Sequence, residues 1–222
     1  WEDYRAVTPS ADRIHALLAE RENTAIVNDH IALRTFNPAP VGLDALAAHF
    51  LALGYQPCGE YHFEAKKLYA RHYEHPDPEV PKVFISELLV EQCSDQMQAV
   101  VQGLVDQIDP KRVQADDFLY SGRHWNLDYS TYRQLLEESE YAGWLAAWGY
   151  RANHFTVSIN HLDTIHSVPD INTMLKEQGF SVNASGGEVK GSPQDCLEQS
   201  STMANRVTAP FTEQDPMLPG RR

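Results

Sequence analysis

The sequence predicts an α+β fold made of two βαβββ modules around one cleft, with an added helical layer outside it. Three observations carry this expectation. "DHIALRTF" at 29–36 and "NHFTVSIN" at 153–160 share one plan: a polar residue, a histidine, then an alternating strand. Each strand leads into a helix that closes on glycine plus an aromatic, Gly54-Tyr55 and Gly179-Phe180, with further strands after it. The residues between the two copies, from 94 to about 150, have helical periodicity. An internal match of this kind decides the architecture before any single element does. The organisation expected is an N-terminal helix plus first module over 1–93, a helical insert over 94–150, and a second module over 151–222 whose last strand is expected to be missing.

The elements follow in order. "PSADRIHALLAER" puts Ser10 at a helix N-cap, with Ile14, Leu17 and Leu18 at helical spacing behind it. "TAIVNDHIALRTF" is apolar, β-branched and alternating until "NPAPVG" breaks it. "LDALAAHFLALGY" returns to a 3.6-residue period and stops at Gly54. Three strand-like pieces come next, "QPCGEYHF", "KKLYARHYEH" and "KVFISELLVE", the last two joined by the turn "PDPEVP". The first module thus reads β-α-β-β-β. "DQMQAVVQGLVDQI" and "TYRQLLEESEYAGWLAAWGY" are the clearest helical pieces of the insert.

Composition narrows the partners. The 222 residues carry Lys+Arg 18 against Asp+Glu 31, a net charge of -13, which repels nucleic-acid backbones and anionic lipid. No apolar run approaches the roughly 18 residues of a membrane span, and the N-terminus has no secretory pattern. Three widely spaced cysteines, Cys58, Cys93 and Cys196, suit a reducing compartment, and the cytoplasm is the expected location. The partners expected are small molecules, with no nucleic acid and no membrane; the sequence carries no reading of oligomeric state.

The histidines carry the chemistry. Strand residues two apart share a face, so His30, Ala32, Arg34 and Phe36 point one way, and His154, Thr156, Ser158 and Asn160 share a face in the second copy. Polar groups backed by apolar neighbours are costly without partners, so this row implies a wet, lined cavity. A lone histidine of this kind is usually a hydrogen-bonded core residue. Two at equivalent places in a repeat reverse that preference, and they supply half of a metal site of the kind formed by two histidines and one carboxylate. The other histidines are weaker candidates. His49 and His166 lie in helical stretches, His62, His72 and His75 sit among exposed-looking charges, and His161 belongs to the strand's end.

"DHIALRTF", "VFISEL", "ANHFTVSIN" and "EVKGSPQDCLEQSSTMA" resemble the 2-oxoadipate dioxygenase/decarboxylase family, also called the hydroxyglutarate synthase family, a branch of the vicinal-oxygen-chelate superfamily. The likeness runs through most of the chain. It implies that His30 and His154 bind Fe(II) and, with Arg34, contact the substrate, Arg34 holding a carboxylate of a 2-oxo acid. It implies oxidative decarboxylation by O2, which turns 2-oxoadipate into 2-hydroxyglutarate and CO2. The family's third ligand resembles a glutamate in a last strand shortly after Pro-Gly, whereas this sequence stops at "MLPGRR". A glutamate beyond Arg222 is one expectation; Glu87 and Glu198 are the in-chain alternatives, with Glu188 behind them.

From His30 to Arg34 is about 13 Å of strand at roughly 3.3 Å per residue. A dicarboxylic oxo acid of five to seven carbons, chelated at one end, fits that reach to a guanidinium that grips a carboxylate with two parallel hydrogen bonds. The bland reading of Arg34 is a buried ion pair with a glutamate such as Glu60 or Glu87. Ser200, Ser201 and Thr202 are either hydroxyl donors to the pocket or strand residues with local hydrogen bonds, the second reading being favoured. Two other functions remain on the same fold: a metal-dependent isomerase or lyase of glyoxalase type, and a metal-free small-molecule binding module.

Overall fold

The computed structural model describes residues 1–23, 25–192, 194 and 197–212. A five-stranded sheet carries the first module. β1 (Asn28–Phe36), the apolar "NDHIALRTF" run, sits inside it; helix α3 (Leu43–Ala52) follows, then β2 (Gln56–Phe63), β3 (Leu68–Glu74) and β4 (Lys82–Leu88). The β-α-β-β-β order is the one the periodicity predicts. Because α3 returns the chain across the sheet, β4 pairs with β1 in parallel, from His30 opposite Lys82 to Phe36 opposite Leu88. β3 runs antiparallel to both β4 and β2, and β5 (Ala152–Val157) completes the order β2-β3-β4-β1-β5.

Alternation sorts the side chains of β1. Leu33 joins Val83, Ile85, Leu43, Leu46 and Ala47 in one buried cluster. α3 starts where the Glu87 carboxylate accepts the Leu43 N–H at 2.7 Å, which satisfies one of the helix's orphan donors. It ends just before Gly54, whose φ of +96° suits a residue without Cβ.

The helical stretch between the strands forms α4 (Asp95–Val105), the single turn α5 (Pro110–Val113), α6 (Tyr129–Glu138) and α7 (Glu140–Trp148). Ser94, Asp109, Asp128 and Ser139 each cap the helix that follows by accepting a backbone N–H. Met97, Val101, Leu104, Leu135, Ala142 and Leu145 bury their side chains in the same cluster as the sheet. These elements make one compact unit, His30–Phe155 with the segment from Thr208.

The other unit joins Trp1–Asp29 to Thr156–Val207. It holds α1 (Glu2–Val7), α2 (Pro9–Glu22), α8 (Val168–Glu177) and a hairpin of β6 (Lys190–Ser192) with β7 (Leu197–Gln199). Leu18, Leu162, Ile165, Ile171, Met174 and Leu175 are its core. The buried Glu22 carboxylate accepts the N–H groups of Asp163 and Thr164 and the Thr164 hydroxyl, so a charge at the end of α2 holds a loop 141 residues away in sequence.

Two local expectations are corrected. The long N-terminal helix begins at Pro9 with Thr8 in the cap position, not at a Ser10 cap, because proline is pre-set for the first helical position; the Ser10 hydroxyl instead donates to Asn205 at 2.6 Å. The second histidine strand stops at Val157. Ser158 donates its N–H to Val27 and its hydroxyl meets His161 Nδ1 at 2.8 Å, which turns Ile159–His161 into a short 3-10 helix and ends the alternation before Ser158 and Asn160.

Asp128 offers a direct test of the helical layer. Its carboxyl is held down to about 2 from the usual 3.8 by the Ser130 hydroxyl first and the Thr131 N–H next. A depressed folded value means that the stabilisation is present above the ordinary carboxylate range and is lost as pH falls toward about 2. Asp128→Ala is expected to cost about 1 kcal/mol at neutral pH by urea unfolding, and the gap to the parent should shrink as pH drops below about 4. A gap that stayed constant with pH would show that the cap contributes through packing and not through its charge.

Candidate metal centre

His30 is the third residue of β1 and His154 the third of β5, and the sheet makes these strands neighbours. Their Nε2 atoms lie 3.3 Å apart, with ring planes at 79°. Two imidazole nitrogens that each sit roughly 2.0 to 2.1 Å from one ion at a tetrahedral angle are separated by about this much. The second copy adds an orienting group, because Asn153 Oδ1 lies 3.0 Å from His154 Nδ1. As an acceptor it takes the Nδ1–H, and this leaves Nε2 bare, as a ligand nitrogen must be.

Desolvation pushes the His154 pKa down first, and the neighbouring His30 and Arg34 push it the same way, to about 4. The residue as a whole is solvent-exposed, which argues against so complete a desolvation. The two basic neighbours support the direction independently, toward a neutral ring at pH 7.

Arg34 is two pleats along β1 from His30, on the same face. Its guanidinium carbon stands 4.8 Å from the Tyr141 ring centre and 5.1 Å from that of Trp144, so α7 sets two aromatic rings against it. The Tyr141 hydroxyl anchors that helix: it accepts the Thr35 N–H at 3.0 Å and donates to the Ser86 carbonyl at 2.6 Å. Glu140, itself largely exposed, approaches Arg34 Nη1 only to 3.7 Å. Nη1 is buried and makes no hydrogen bond. A charged, buried donor with an unspent proton fits an anionic ligand, most readily a carboxylate. Neither Glu60, which leans toward Arg71 at 3.8 Å, nor Glu87, which caps α3, is the ion-pair partner of Arg34; the glutamate that stands there is Glu140, at the long separation of 3.7 Å.

The in-chain candidates for a third ligand do not join the histidines. Glu87 sits opposite Thr35 in the ladder, so it points to the other face from His30, and burial raises its pKa. Glu198 is exposed on β7, opposite Gly191, and Glu188 pairs with Lys176 at 2.6 Å. A glutamate beyond Arg222 and the expected thiol Cys196 lie outside the described residues. The Ser200 hydroxyl donates to Asn172 at 2.6 Å, so it is spent on a partner 28 residues away in sequence, and the Thr202 backbone bridges to Val182. Of the weaker histidines, His49 bonds the Val113 carbonyl at 2.8 Å, His75 accepts the Asp77 N–H, His62 stacks on Tyr69, and His166 is exposed. Residues sequence reasoning missed are Asn153, Tyr141 and Trp144. The first stood next to a singled-out histidine, and the other two stood three apart in an apolar helix, the spacing of one helical face.

Comparison with known proteins bears on this geometry. A family model described as 2-oxoadipate dioxygenase/decarboxylase matches residues 5–117 and 114–221. The chain is 34% identical over 219 residues to an Arabidopsis thaliana protein named 2-oxoadipate dioxygenase/decarboxylase, chloroplastic, covering 92% of this chain and 59% of that protein. It spans about three fifths of the length of the curated relatives it matches, 59% and 61%. Among solved structures it superposes with TM-score 0.92 and 59% identity on a putative hydrolase from Shewanella frigidimarina NCIMB 400, covering 96% of this chain and 83% of the other. It matches hydroxyglutarate synthase from Oryza sativa in complex with 2-oxoadipate at TM-score 0.85 and 35% identity, over 91% and 69% of the two chains. A putative glyoxalase superfamily protein from Ralstonia eutropha JMP134 shares the fold at TM-score 0.77 and 23% identity, over 93% and 72%. The fold is therefore the α+β, glyoxalase-like arrangement that these structures share.

The histidine pair makes a binding prediction. With the exposed Cys58 thiol blocked, titration of the protein with Ni(II), an oxygen-stable stand-in for ferrous ion, should lose its signal in His154→Ala. Asn153→Ala should weaken it by roughly 10- to 100-fold, the usual effect of removing a partner that orients a ligand. Equal affinities in the parent and His154→Ala would mean that the two rings only hydrogen-bond each other.

Proposed function

Because the chain belongs to the 2-oxoadipate dioxygenase/decarboxylase family, we propose that it carries the metal-binding and carboxylate-binding face of an Fe(II)-dependent enzyme. The reaction is oxidative decarboxylation with hydroxylation: 2-oxoadipate and O2 give 2-hydroxyglutarate and CO2, the CO2 leaving with the oxygens of the C1 carboxylate and both atoms of O2 entering 2-hydroxyglutarate, one in its new carboxylate and one in its hydroxyl. The observation that carries the reading is Arg34, a half-buried guanidinium packed on two aromatic rings, with its buried Nη1 unspent, on the face of the histidine pair.

His30 and His154 would hold the ferrous ion, with a carboxylate from outside the described residues as the third ligand. The ion would supply the redox chemistry with O2 that no side chain here can perform. The remaining steps belong to the protein. Asn153 keeps His154 in the tautomer that presents Nε2. Arg34 takes the distal carboxylate of the substrate in a forked contact and so selects a dicarboxylic over a monocarboxylic oxo acid. Tyr141 and Trp144 hold the guanidinium in place, and their rings keep water off its faces.

Arg34→Lys tests this, since it keeps the charge and loses the fork. Losing a desolvated, charge-assisted pair costs on the order of 2 to 5 kcal/mol. O2 uptake by the Fe(II)-loaded enzyme should therefore fall by tens- to thousands-fold in kcat/KM on 2-oxoadipate, and much less on 2-oxohexanoate. Equal losses on the two substrates would make Arg34 structural. No uptake by the parent on either would overturn the dioxygenase reading.

A further inference from the structure

A second group of ligand-type side chains stands away from the histidine pair. Cys58, His72 and Glu74 each offer one ligand atom, and the three atoms lie within 4.8 Å of one another. The sheet builds this cluster in three ways. His72 and Glu74 are two apart on β3, so they share a face. The β2–β3 register shifts between Pro57 and Gly59, with Gly59 opposite His72 and Pro57 opposite Tyr73, so Cys58 is the extra residue of a bulge. Bulges re-aim a side chain, and here the thiol comes to the face of the imidazole. Gly59 supplies the space: a Cβ there would meet His72 Cε1 and Nδ1 at 2.9 Å, so a side chain at this position would displace the ring.

The chemistry of the set is specific. His72 Nε2 lies 3.4 Å from Glu74 Oε1, close to the separation of two ligands on one tetrahedral ion. His72 Nδ1 lies 2.9 Å from the Tyr61 hydroxyl, which can accept the Nδ1–H and leave Nε2 bare. Thiolate, imidazole and carboxylate together suit a borderline ion such as Zn(II), and two negative ligands match its charge. Lys82 lies 3.3 Å from Glu74 Oε1, and as a half-exposed ammonium it can swing out when an ion takes the carboxylate.

We propose that Cys58, His72 and Glu74 form a second divalent-cation site of zinc type, with its fourth position open to water. The ladder sets its distance from the first site. Glu74 stands beside Lys82, and His30 is opposite Lys82, so the cluster is on the His30 face with β4 intervening. The first site lies between β1 and β5 and the cluster between β2 and β3, so about three strand spacings of roughly 4.8 Å separate them, on the order of 15 Å. An ion there would place a second positive charge on the face that holds Arg34.

The test uses a His30→Ala/His154→Ala background, which removes the first site, and Zn(II) as the probe. Competition against a chromophoric chelator should show one Zn(II) bound per chain, with Zn(II) protecting the Cys58 thiol from a chromogenic disulfide. Adding Cys58→Ser or His72→Asn should weaken binding by roughly 100-fold or more. Gly59→Ala keeps all three ligands. It should weaken Zn(II) binding while leaving Cys58 reactivity in the metal-free protein at the parent rate, which shows that the fold is intact. Absence of Zn(II) binding in the double-histidine background would overturn the proposal, as would binding that Cys58→Ser and His72→Asn leave unchanged. Neither result touches the function proposed for His30 and His154.

Discussion

The site depends on one pairing, the closure of β5 against the free edge of β1. His30 and His154 are 124 residues apart in sequence, and neither has a local reason to meet the other. Placing both on the third residue of adjacent strands brings two nitrogens within 3.3 Å and leaves them facing the same way. The chemistry of the histidine pair follows from it: the neutral ring of His154, the tautomer chosen by Asn153, and the use of Arg34 as the charged group next along the strand.

The second constraint is that buried polar groups must be satisfied, and this decides which of them remain free to act. Glu87 is spent on the first turn of α3, and Tyr141 on the backbone of β1 and β4. Burial raises the phenol of Tyr141 so that it acts as a neutral hydrogen-bonding group and its ring is left to carry Arg34. Arg34 is the exception, a half-buried cation whose buried Nη1 makes no hydrogen bond and whose nearest carboxylate stays 3.7 Å away. Stability alone gives no reason to keep such a donor unmet, so the residue is better explained by a ligand than by the fold.

Much of this was legible in the sequence because it rests on period and repetition. The alternation of "DHIALRTF" and the β-α-β-β-β order survive intact, and the repeat singled out the two histidines that meet. What was not legible depends on tertiary choices. Proline outcompeted Ser10 for the start of α2, and hydrogen bonds from Ser158 ended β5 earlier than the pattern of "NHFTVSIN" suggests. The aromatic pair against Arg34 comes from a helix more than a hundred residues downstream, which no local spacing announces. Glu87 shows the limit of parity reasoning. A glutamate in "FISEL" reads as a ligand candidate until the register with β1 puts it on the opposite face.

Anomalous diffraction at the iron edge, from crystals grown with Fe(II) under anaerobic conditions, tests the central claim most directly. The account predicts one peak roughly 2.0 to 2.2 Å from the Nε2 atoms of both His30 and His154, with a carboxylate oxygen completing the protein ligands. A peak bound to one of these rings alone, or iron found elsewhere with the two rings still in contact, would contradict it.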